Sequence, residues 1–260
     1  MAIIEFGNVL AGARPFHFHD NVNDVFRGEI LCNSGAIMSA FIKDLPLRQL
    51  VNELIASVIA SHLGLPVPVP ILAVASRDTL AATQIPYGND SHLVFASSAA
   101  DARPVLQILS EVGRADEVYE ILANWDRLGE LYGFDSWVAN IDRHRGNLLL
   151  GGKGDLWMID HGHCLTGPAW SPSDLKEDAQ CRNRMAEWLT PSLSGSRRVR
   201  AAEEAMQLKS SAEDTDVEEL LSQNRIDALL KGEFKNVVSF LEGRVDYIEP
   251  FSRKALGVLV

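Results

Sequence analysis

The clearest hydrophobic pattern in the chain lies between Leu47 and Leu63. Apolar side chains recur there at positions i, i+3, i+4 and i+7, the spacing of one face of an α-helix. Gly64 follows in the position of a C-terminal cap, and Pro66 prevents the helix from continuing. The pattern therefore predicts one long helix that ends at Gly64.

The segments on either side of this helix are shorter and have the character of strands. Gly and Asn turn signals separate apolar runs, which predicts a small sheet. These runs are Met1–Gly7, Phe16–Phe18, Glu29–Cys32 and Ala36–Ile42. After the helix, Pro68–Ala75 is predicted to be an edge strand.

Helical patterns dominate from about Ala100 onward. The predicted helices are Pro104–Val112, Val118–Leu131, Phe134–Ala139, Val217–Leu230 and Phe234–Tyr247. A hairpin is predicted at 148–159, a flexible loop at Ser192–Ser196, and a solvated or partly disordered segment at Ala201–Glu219. The order of elements predicts an α+β chain of two unequal lobes, and a cleft between lobes is a common place for a ligand.

Composition narrows the function classes. The chain has 260 residues, 47% of them hydrophobic, which is enough for one substantial domain or two lobes that share a cleft. Its 24 basic and 35 acidic residues give a net charge of −11. Such a chain is a poor candidate for wrapping nucleic acid, but one Lys, backbone N–H groups and a metal can still bind a small anion such as a nucleotide.

The cysteines and the apolar segments predict a location. Cys32, Cys164 and Cys181 are odd in number and lack metal-type spacing, which favours a reducing cytoplasm. We see no signal peptide at the start of the chain. The most apolar stretch, from Leu50 to Ala75, is interrupted by polar residues and prolines, so no membrane span is expected.

The most informative stretch for chemistry surrounds the predicted hairpin. Apolar runs flank the Gly-rich turn at 151–155, and Asn147 and Asp160 are expected to face each other at its open end. Asp142 lies on the loop that enters the hairpin. Two carboxylates and one amide oxygen would then lie close together, as Mg²⁺ prefers, with one carboxylate left to accept a proton from a hydroxyl.

These residues also carry a family resemblance. The stretch Asp-Arg-His-Arg-Gly-Asn, followed by Ile-Asp-His-Gly, resembles the catalytic and metal-binding motifs of HipA-like kinases, and phosphatidylinositol kinases carry a related arrangement. The resemblance implies that Asp142 is the catalytic base and that Asn147 and Asp160 bind magnesium. It also implies that His144 and Arg143 support the catalytic loop.

The same resemblance implies a protein-kinase-like fold with ATP and Mg²⁺ as cofactors. An ATP-binding lobe would span 1–96, and a mostly helical catalytic lobe would span 97–260. HipA-like kinases phosphorylate Ser or Thr of proteins, and some act as toxins beside an antitoxin partner. Because no basic amphipathic membrane-binding helix is apparent, a protein acceptor is preferred to a lipid.

Two residues of the first half fit this picture. Lys43 ends the apolar run that begins at Ala40, from where its side chain can reach nucleotide phosphates. In the family a helix acid orients the strand lysine, and Glu53 is the residue of this chain that would do so. Their spacing of ten residues is shorter than in conventional kinases.

Two further segments are assigned to ATP by resemblance and position. Ala11–Pro15 resembles the phosphate-covering loop of HipA-like proteins, although Gly12 is its single glycine. Leu93–Ala96 lies where the connector between lobes is expected, so its backbone, including that of Phe95, would receive adenine.

Two other functions stay open from the sequence. His17 and His19 could bind a transition metal together with Asp160, which would indicate a metal-dependent hydrolase. Alternatively, the chain is a nucleotide-binding module without catalytic activity. His161 and His163 are expected to line the site or to hydrogen-bond to the backbone.

Overall fold

Alternating buried and exposed side chains produce the strands of the first hundred residues, as Ala40 and Ile42 illustrate. The computed structural model describes residues 3–16, 24–111, 113–152 and 154–259. The strands of the first part are β1 (Glu5–Val9), β2 (Arg14–Pro15), β3 (Val25–Cys32), β4 (Ile37–Lys43), β5 (Pro70–Ser76), β6 (Pro86–Tyr87) and β7 (Ser91–Ser98). A long helix, α1 (Leu47–His62), separates β4 from β5.

These strands form a closed ring rather than an open sheet. Strand β1 pairs in parallel with β5, and antiparallel pairings continue from β5 to β7, β4 and β3. Strand β3 then returns to β1. The prediction of an edge strand at Pro68–Ala75 is therefore wrong, because β5 has a neighbour on each side. Pro70 is tolerated because it is the first residue of its strand.

The ring encloses its own small core. Ile30, Ile42, Ile71 and Val94 are fully buried and belong to one apolar cluster between the strands. A second, larger cluster joins α1 to the helices of the second half. Helix α1 is confirmed as predicted: it is buried continuously from Leu50 to Ala60, and Gly64 follows it with a left-handed φ of +67°.

Helices dominate the rest of the chain. They are α2 (Val105–Leu109), α3 (Ala115–Asn124), α4 (Leu128–Trp137), α5 (Met185–Trp188), α6 (Gly195–Glu213), α7 (Val217–Gln223), α8 (Ile226–Leu230), α9 (Phe234–Arg244) and α10 (Ile248–Leu256). The single helix predicted for Val118–Leu131 is wrong, because extended backbone at Trp125 separates α3 from α4. The chain is thus α+β, as predicted. Within its described residues, no helix has the length and apolar character needed to cross a membrane.

The prediction of a flexible loop at Ser192–Ser196 is also wrong. Ala201–Glu219 lies in α6 and α7 rather than in a disordered loop, and the helices keep an exposed face, as the solvated alternative predicted. Ser194 caps α6, where its side chain accepts a hydrogen bond from the backbone N–H of Arg197 at 3.2 Å. Helix α6 then packs closely against α4. A Cβ atom on Gly129 would lie 2.0 Å from the carbonyl oxygen of Ala201, so this close approach requires glycine.

A smaller sheet carries the predicted hairpin. Strands β9 (Leu148–Gly151) and β10 (Leu156–Met158) are antiparallel, and β8 (Ala102–Pro104) pairs with β9. The hairpin is therefore confirmed, and it lies between the loop that carries Asp142 and the segment that begins at Asp160.

Candidate functional site

The site begins at the end of β4, where Lys43 pairs with Val25 on one side and Phe95 on the other. Its Nζ lies 2.6 Å from Glu53 Oε1 and 2.9 Å from Asp160 Oδ1. Burial opposes the charge of Lys43, but the carboxylates of Asp160 and Glu53 outweigh it and raise the pKa of Lys43. The lysine is therefore a fixed cation at the centre of the site.

Glu53 holds this lysine from the middle of α1. Lys43 and Glu53 are only ten residues apart, but their side chains can meet because only residues 44–46 separate β4 from the helix. The Glu53 side chain is 1% exposed, and its Oε2 accepts a hydrogen bond from the backbone N–H of His161 at 2.8 Å. Burial alone would raise the pKa of Glu53, but Lys43 and His161 outweigh it and lower that pKa.

Asn52, the residue before Glu53, fastens the next part of the chain. Its Nδ2 lies within hydrogen-bond distance of the carbonyl oxygens of Gly162, Cys164 and Gly167, at 2.9, 2.8 and 3.0 Å, and its two N–H groups are shared among them. Its Oδ1 accepts from Trp170 Nε1 at 2.8 Å. No motif in the sequence predicted this role for Asn52. The signal that could have found it is the polar pair Asn52 and Glu53 within a helical stretch that is otherwise mostly apolar.

The loop that carries Asp142 is fixed through its main chain. The Asp142 N–H donates to Asn140 Oδ1 at 3.1 Å. Its carbonyl oxygen accepts from the His144 N–H at 2.7 Å and from Asn147 Nδ2 at 2.8 Å. These contacts bring Asp142, His144 and Asn147 together on one tight loop.

A buried arginine, Arg143, supports this loop through its guanidinium group. The Arg143 guanidinium pairs with the carboxylate of Asp135 at 2.9 Å, and both side chains are almost fully buried. Arg143 Nη1 also donates to the carbonyl oxygens of Asn147 and Ile159, at 3.2 and 2.8 Å. One cation thus ties the loop to the hairpin. Asp135 belongs to α4, seven residues before Asp142, and the sequence analysis missed it.

The hairpin register differs by one residue from the prediction. Leu148 pairs with Met158, and the N–H of Ile159 donates to the carbonyl oxygen of Asn147 at 3.1 Å, so Asn147 faces Ile159 rather than Asp160. The turn sets this register, because Gly154 adopts a left-handed φ of +81° within a short loop. Asp160 then leaves the strand with a left-handed φ of +61°.

Asn147 and Asp160 have the oxygen atoms that Mg²⁺ prefers. The Asn147 Nδ2 is directed to the carbonyl of Asp142, which leaves its Oδ1 as a possible ligand. The Asp160 side chain is 47% exposed, so one carboxylate is open to a cation. An amide oxygen and a carboxylate fit a magnesium ion whose remaining ligands are phosphates and water.

The carboxylate of Asp142 contacts a residue that the sequence analysis did not identify. Arg184 Nη1 donates a hydrogen bond to Asp142 Oδ1, across 42 positions of sequence. His144 Nε2 lies 3.8 Å from Asp142 Oδ2, and His144 Nδ1 accepts from the N–H of Gly146. Burial, more than any charge, lowers the pKa of His144, so its imidazole is neutral near pH 7.

One of the two segments assigned to ATP, Leu93–Ala96, lies elsewhere than expected. Leu93–Ala96 is not a connector, because it lies inside β7 and pairs with both β4 and β5. Its backbone is therefore engaged in the sheet, although the Phe95 ring lies 5.7 Å from Lys43 Nζ. Gly12 is exposed in the turn before β2. The adjacent Ala13 packs on Gly28, three strand positions or about 10 Å from the row of Lys43.

The histidines for which the sequence predicted a role are found in different places. His161 is buried, packs edge-on against Phe134, and lies with Nδ1 3.7 Å from Glu53 Oε2. Burial, followed by the charge of Arg143, lowers the pKa of His161. His17 and His19, which the hydrolase reading requires, lie outside the described residues. Across the residues that are described, no three His, Cys, Asp or Glu side chains form a cluster suited to a metal ion.

Comparison with known proteins gives one family. The model of the family described as "HipA-like kinase" matches residues 29–210, which is more than half of the chain. The match includes Lys43, Glu53, Asp142, Asn147 and Asp160. No curated protein matches the sequence.

Two solved structures that match this chain have TM-scores just below 0.5. A structure titled "Structure of the open conformation of CtTel1" matches with a TM-score of 0.49 and 11% identity, over 89% of this chain and 11% of that one. Another, titled "Complete CtTel1 dimer with C2 symmetry", matches with a TM-score of 0.48 and 11% identity, over 89% of this chain and 12% of that one. The chain spans about a tenth of the length of either.

Proposed function

Because the chain belongs to the HipA-like kinase family, we propose that it binds ATP with Mg²⁺ and transfers the γ-phosphoryl group to a Ser or Thr hydroxyl of a protein. The observation that carries the proposal is the meeting of Lys43, Glu53 and Asp160 beside the loop of Asp142 and Asn147. A cation, a metal-binding carboxylate and a second carboxylate are the parts that phosphoryl transfer needs.

Each residue has a distinct role in this proposal. Lys43, held by Glu53, neutralises charge on the ATP phosphates. Asn147 and Asp160 hold Mg²⁺, which when bound stabilises the charge of the transferring phosphoryl group. Asp142 accepts the proton of the acceptor hydroxyl. The acceptor oxygen forms a bond to the γ-phosphorus, the bond from that phosphorus to the bridging oxygen breaks, and ADP leaves.

The proposed layout is that of a protein kinase. Residues 1–96 would form the ATP-binding lobe and 97–260 the helical catalytic lobe, with the nucleotide between them. A small cavity lined by Lys43, Phe95 and Met158–His161 supports this placement of the phosphates. Because Leu93–Ala96 is engaged in β7, we propose that adenine meets the backbone just after β7, at residues 99–101, which connect it to β8.

We also propose a phosphate acceptor, a cellular location and a partner. A protein acceptor, a reducing cytoplasmic location and an antitoxin-like partner follow from the family resemblance and from the unpaired cysteines Cys32, Cys164 and Cys181.

The test is a turnover assay on the purified chain with γ-labelled ATP and Mg²⁺. We expect ADP release, with label recovered as inorganic phosphate or on the protein itself. Binding of ATP that stabilises the protein without any turnover would support the inactive nucleotide-binding module instead. Hydrolytic activity that needs Zn²⁺ and no ATP would support the metal-dependent hydrolase.

A further inference from the structure

The segment 181–188 lies against the catalytic loop 142–147. Trp188 Nε1 donates to the carbonyl oxygen of Arg143 at 3.0 Å, and the Arg145 guanidinium lies 5.7 Å from the centre of the Trp188 ring. Arg184, at the start of α5, reaches the carboxylate of Asp142. The segment thus contacts the loop through its backbone, a neighbouring side chain and the carboxylate itself.

The Asp142 carboxylate depends on this contact for its orientation. The loop hydrogen bonds described above fix the main chain of Asp142, but they leave the side-chain torsions undetermined. Among the residues that the structure describes, Arg184 is the one hydrogen-bond partner of the carboxylate. His144 Nε2, at 3.8 Å, lies beyond hydrogen-bond distance.

Arg184 hydrogen-bonds to one oxygen of the Asp142 carboxylate and not to the other. Arg184 Nη1 meets Oδ1 of Asp142, whereas Oδ2 accepts no hydrogen bond from Arg184. The neighbouring pair shows the alternative geometry: Arg182 binds both oxygens of Glu187, at 2.6 and 2.7 Å. A guanidinium that blocked the carboxylate would be expected to use this two-pronged geometry.

We propose that Arg184 is a positioning residue, which holds the Asp142 carboxylate so that Oδ2 faces the acceptor hydroxyl. This inference rests on the proposed function. The side chains of Arg184 and Asp142 are 34% and 24% exposed, so water screens their attraction only in part. The charge-assisted hydrogen bond therefore fixes the rotamer of Asp142. The carboxylate is then already oriented when phosphoryl transfer begins.

The test compares Arg184→Ala and Arg184→Lys with Arg182→Ala. The control removes an equal charge from the same segment, at a residue whose hydrogen bonds go to Glu187 and not to Asp142. Turnover of γ-labelled ATP with Mg²⁺ is measured as ADP release. We expect Arg184→Ala to lower kcat up to about 100-fold, with an unchanged KM for ATP, because a misplaced reacting group can cost that much. Arg184→Lys should recover part of the rate.

Chemical rescue separates positioning from a structural role. Guanidinium chloride, kept well below the concentrations that unfold the protein, should raise the rate of Arg184→Ala. It should not raise the rates of wild type or Arg182→Ala, and sodium chloride at equal ionic strength should have no such effect. A partial loss in Trp188→Phe, which keeps the ring but loses the donor to Arg143, would agree with the same arrangement.

Three outcomes overturn the inference while leaving the proposed function intact. They are an unchanged kcat in Arg184→Ala, a faster rate, which would make the contact an inhibitory one, and a loss that guanidinium does not rescue. If wild type binds ATP but shows no turnover, the proposed function itself fails, and the inference fails with it. The melting temperature of each variant is measured alongside, to show that the fold is intact.

Discussion

Replacing Lys43 with methionine removes the cation that neutralises a buried carboxylate. The Glu53 side chain is 1% exposed, and Lys43 Nζ lies 2.6 Å from its Oε1. Within the part of the chain that the structure describes, the remaining hydrogen-bond donor to Glu53 is the backbone N–H of His161 at 2.8 Å, and the His161 ring lies beside the carboxylate. Asp160 also loses Lys43, but its side chain is 47% exposed and can be hydrated instead. The cost in stability should therefore come chiefly from Glu53.

The expected magnitude follows from breaking one partner of a buried ion pair, which costs about 3–5 kcal/mol. In a chain of this size each kcal/mol shifts the melting temperature by about 2–4 °C, so Lys43→Met should melt roughly 6–20 °C below wild type. Adding Glu53→Gln removes the uncompensated charge while it keeps an acceptor for the His161 N–H. An amide left partly unpaired costs about 1–3 kcal/mol, so the double variant should be about 2 kcal/mol more stable than Lys43→Met.

Lowering the pH should narrow the difference in the free energy of unfolding between wild type and Lys43→Met. In wild type the pKa of Glu53 is lowered, so its stabilising contribution is present above the ordinary carboxyl pKa and is lost as the pH falls through the lowered value. In Lys43→Met burial is no longer outweighed, and the pKa of Glu53 should rise above its ordinary value. The penalty in the variant is then largest at neutral pH and shrinks as Glu53 gains a proton.

Thermal or urea unfolding of wild type, Lys43→Met, Glu53→Gln and the double variant closes this cycle. The reasoning is refuted if Lys43→Met is less than about 1 kcal/mol below wild type, the range of an exposed ion pair. It is also refuted if the double variant is no more stable than Lys43→Met, because the buried charge would then not be the cause.

The remaining predictions concern metal binding, transfer and helix packing. Asp160→Ala should abolish Mg²⁺-dependent turnover without unfolding the protein, measured by a Mg²⁺ titration of ADP release beside a thermal melt. Asp142→Asn should keep near-normal ATP affinity by calorimetry and slow transfer by roughly 100-fold or more, since it loses the proton acceptor. Gly129→Ala should lower the free energy of unfolding by about 1–3 kcal/mol, because its Cβ would lie 2.0 Å from the Ala201 carbonyl oxygen. Gly133→Ala is the matched control, since its Cβ would meet a flexible leucine end at 3.3 Å.

Each of these predictions has a contrary result. Turnover that survives in Asp160→Ala with its Mg²⁺ dependence unchanged would remove Asp160 from the metal site. Lost ATP affinity in Asp142→Asn, with a normal rate per bound nucleotide, would make Asp142 a metal ligand or a structural residue. Equal stability of the two glycine variants would show that α4 and α6 can separate at little cost.

What the sequence could predict follows from how local each signal is. Helix α1 was predictable because its apolar periodicity, the cap at Gly64 and the following Pro66 all lie within one stretch. The hairpin was predictable for the same reason, but its register was not. That register depends on the left-handed Gly154 and on the length of the turn, and a shift of one residue separates Asn147 from the position opposite Asp160.

Non-local contacts have no comparable signal. The parallel pairing of β1 with β5 closes the ring across more than sixty positions, and no motif in either strand specifies its partner. Helix α6 was missed because its buried face is made of alanines such as Ala201 and Ala205, which score as weakly apolar. The partner surface on α4 is equally inconspicuous, since it is provided by Gly129 and Gly133. The approach of Arg184 to Asp142 likewise depends on how a loop without periodicity folds back.

Helix α1 shows how one local signal places several distant groups. Successive residues of an α-helix point about 100° apart, so Asn52 and Glu53 can reach different segments from adjacent positions. Glu53 joins Lys43 of β4 to the N–H of His161, while Asn52 holds the carbonyl oxygens of the turn that begins at Gly162. Two adjacent residues of α1 therefore hold the strand ring and the residues after Asp160 in place relative to each other. A displacement of α1 would break both sets of contacts together, so the positions of Lys43 and of the segment that follows Asp160 depend on the same helix.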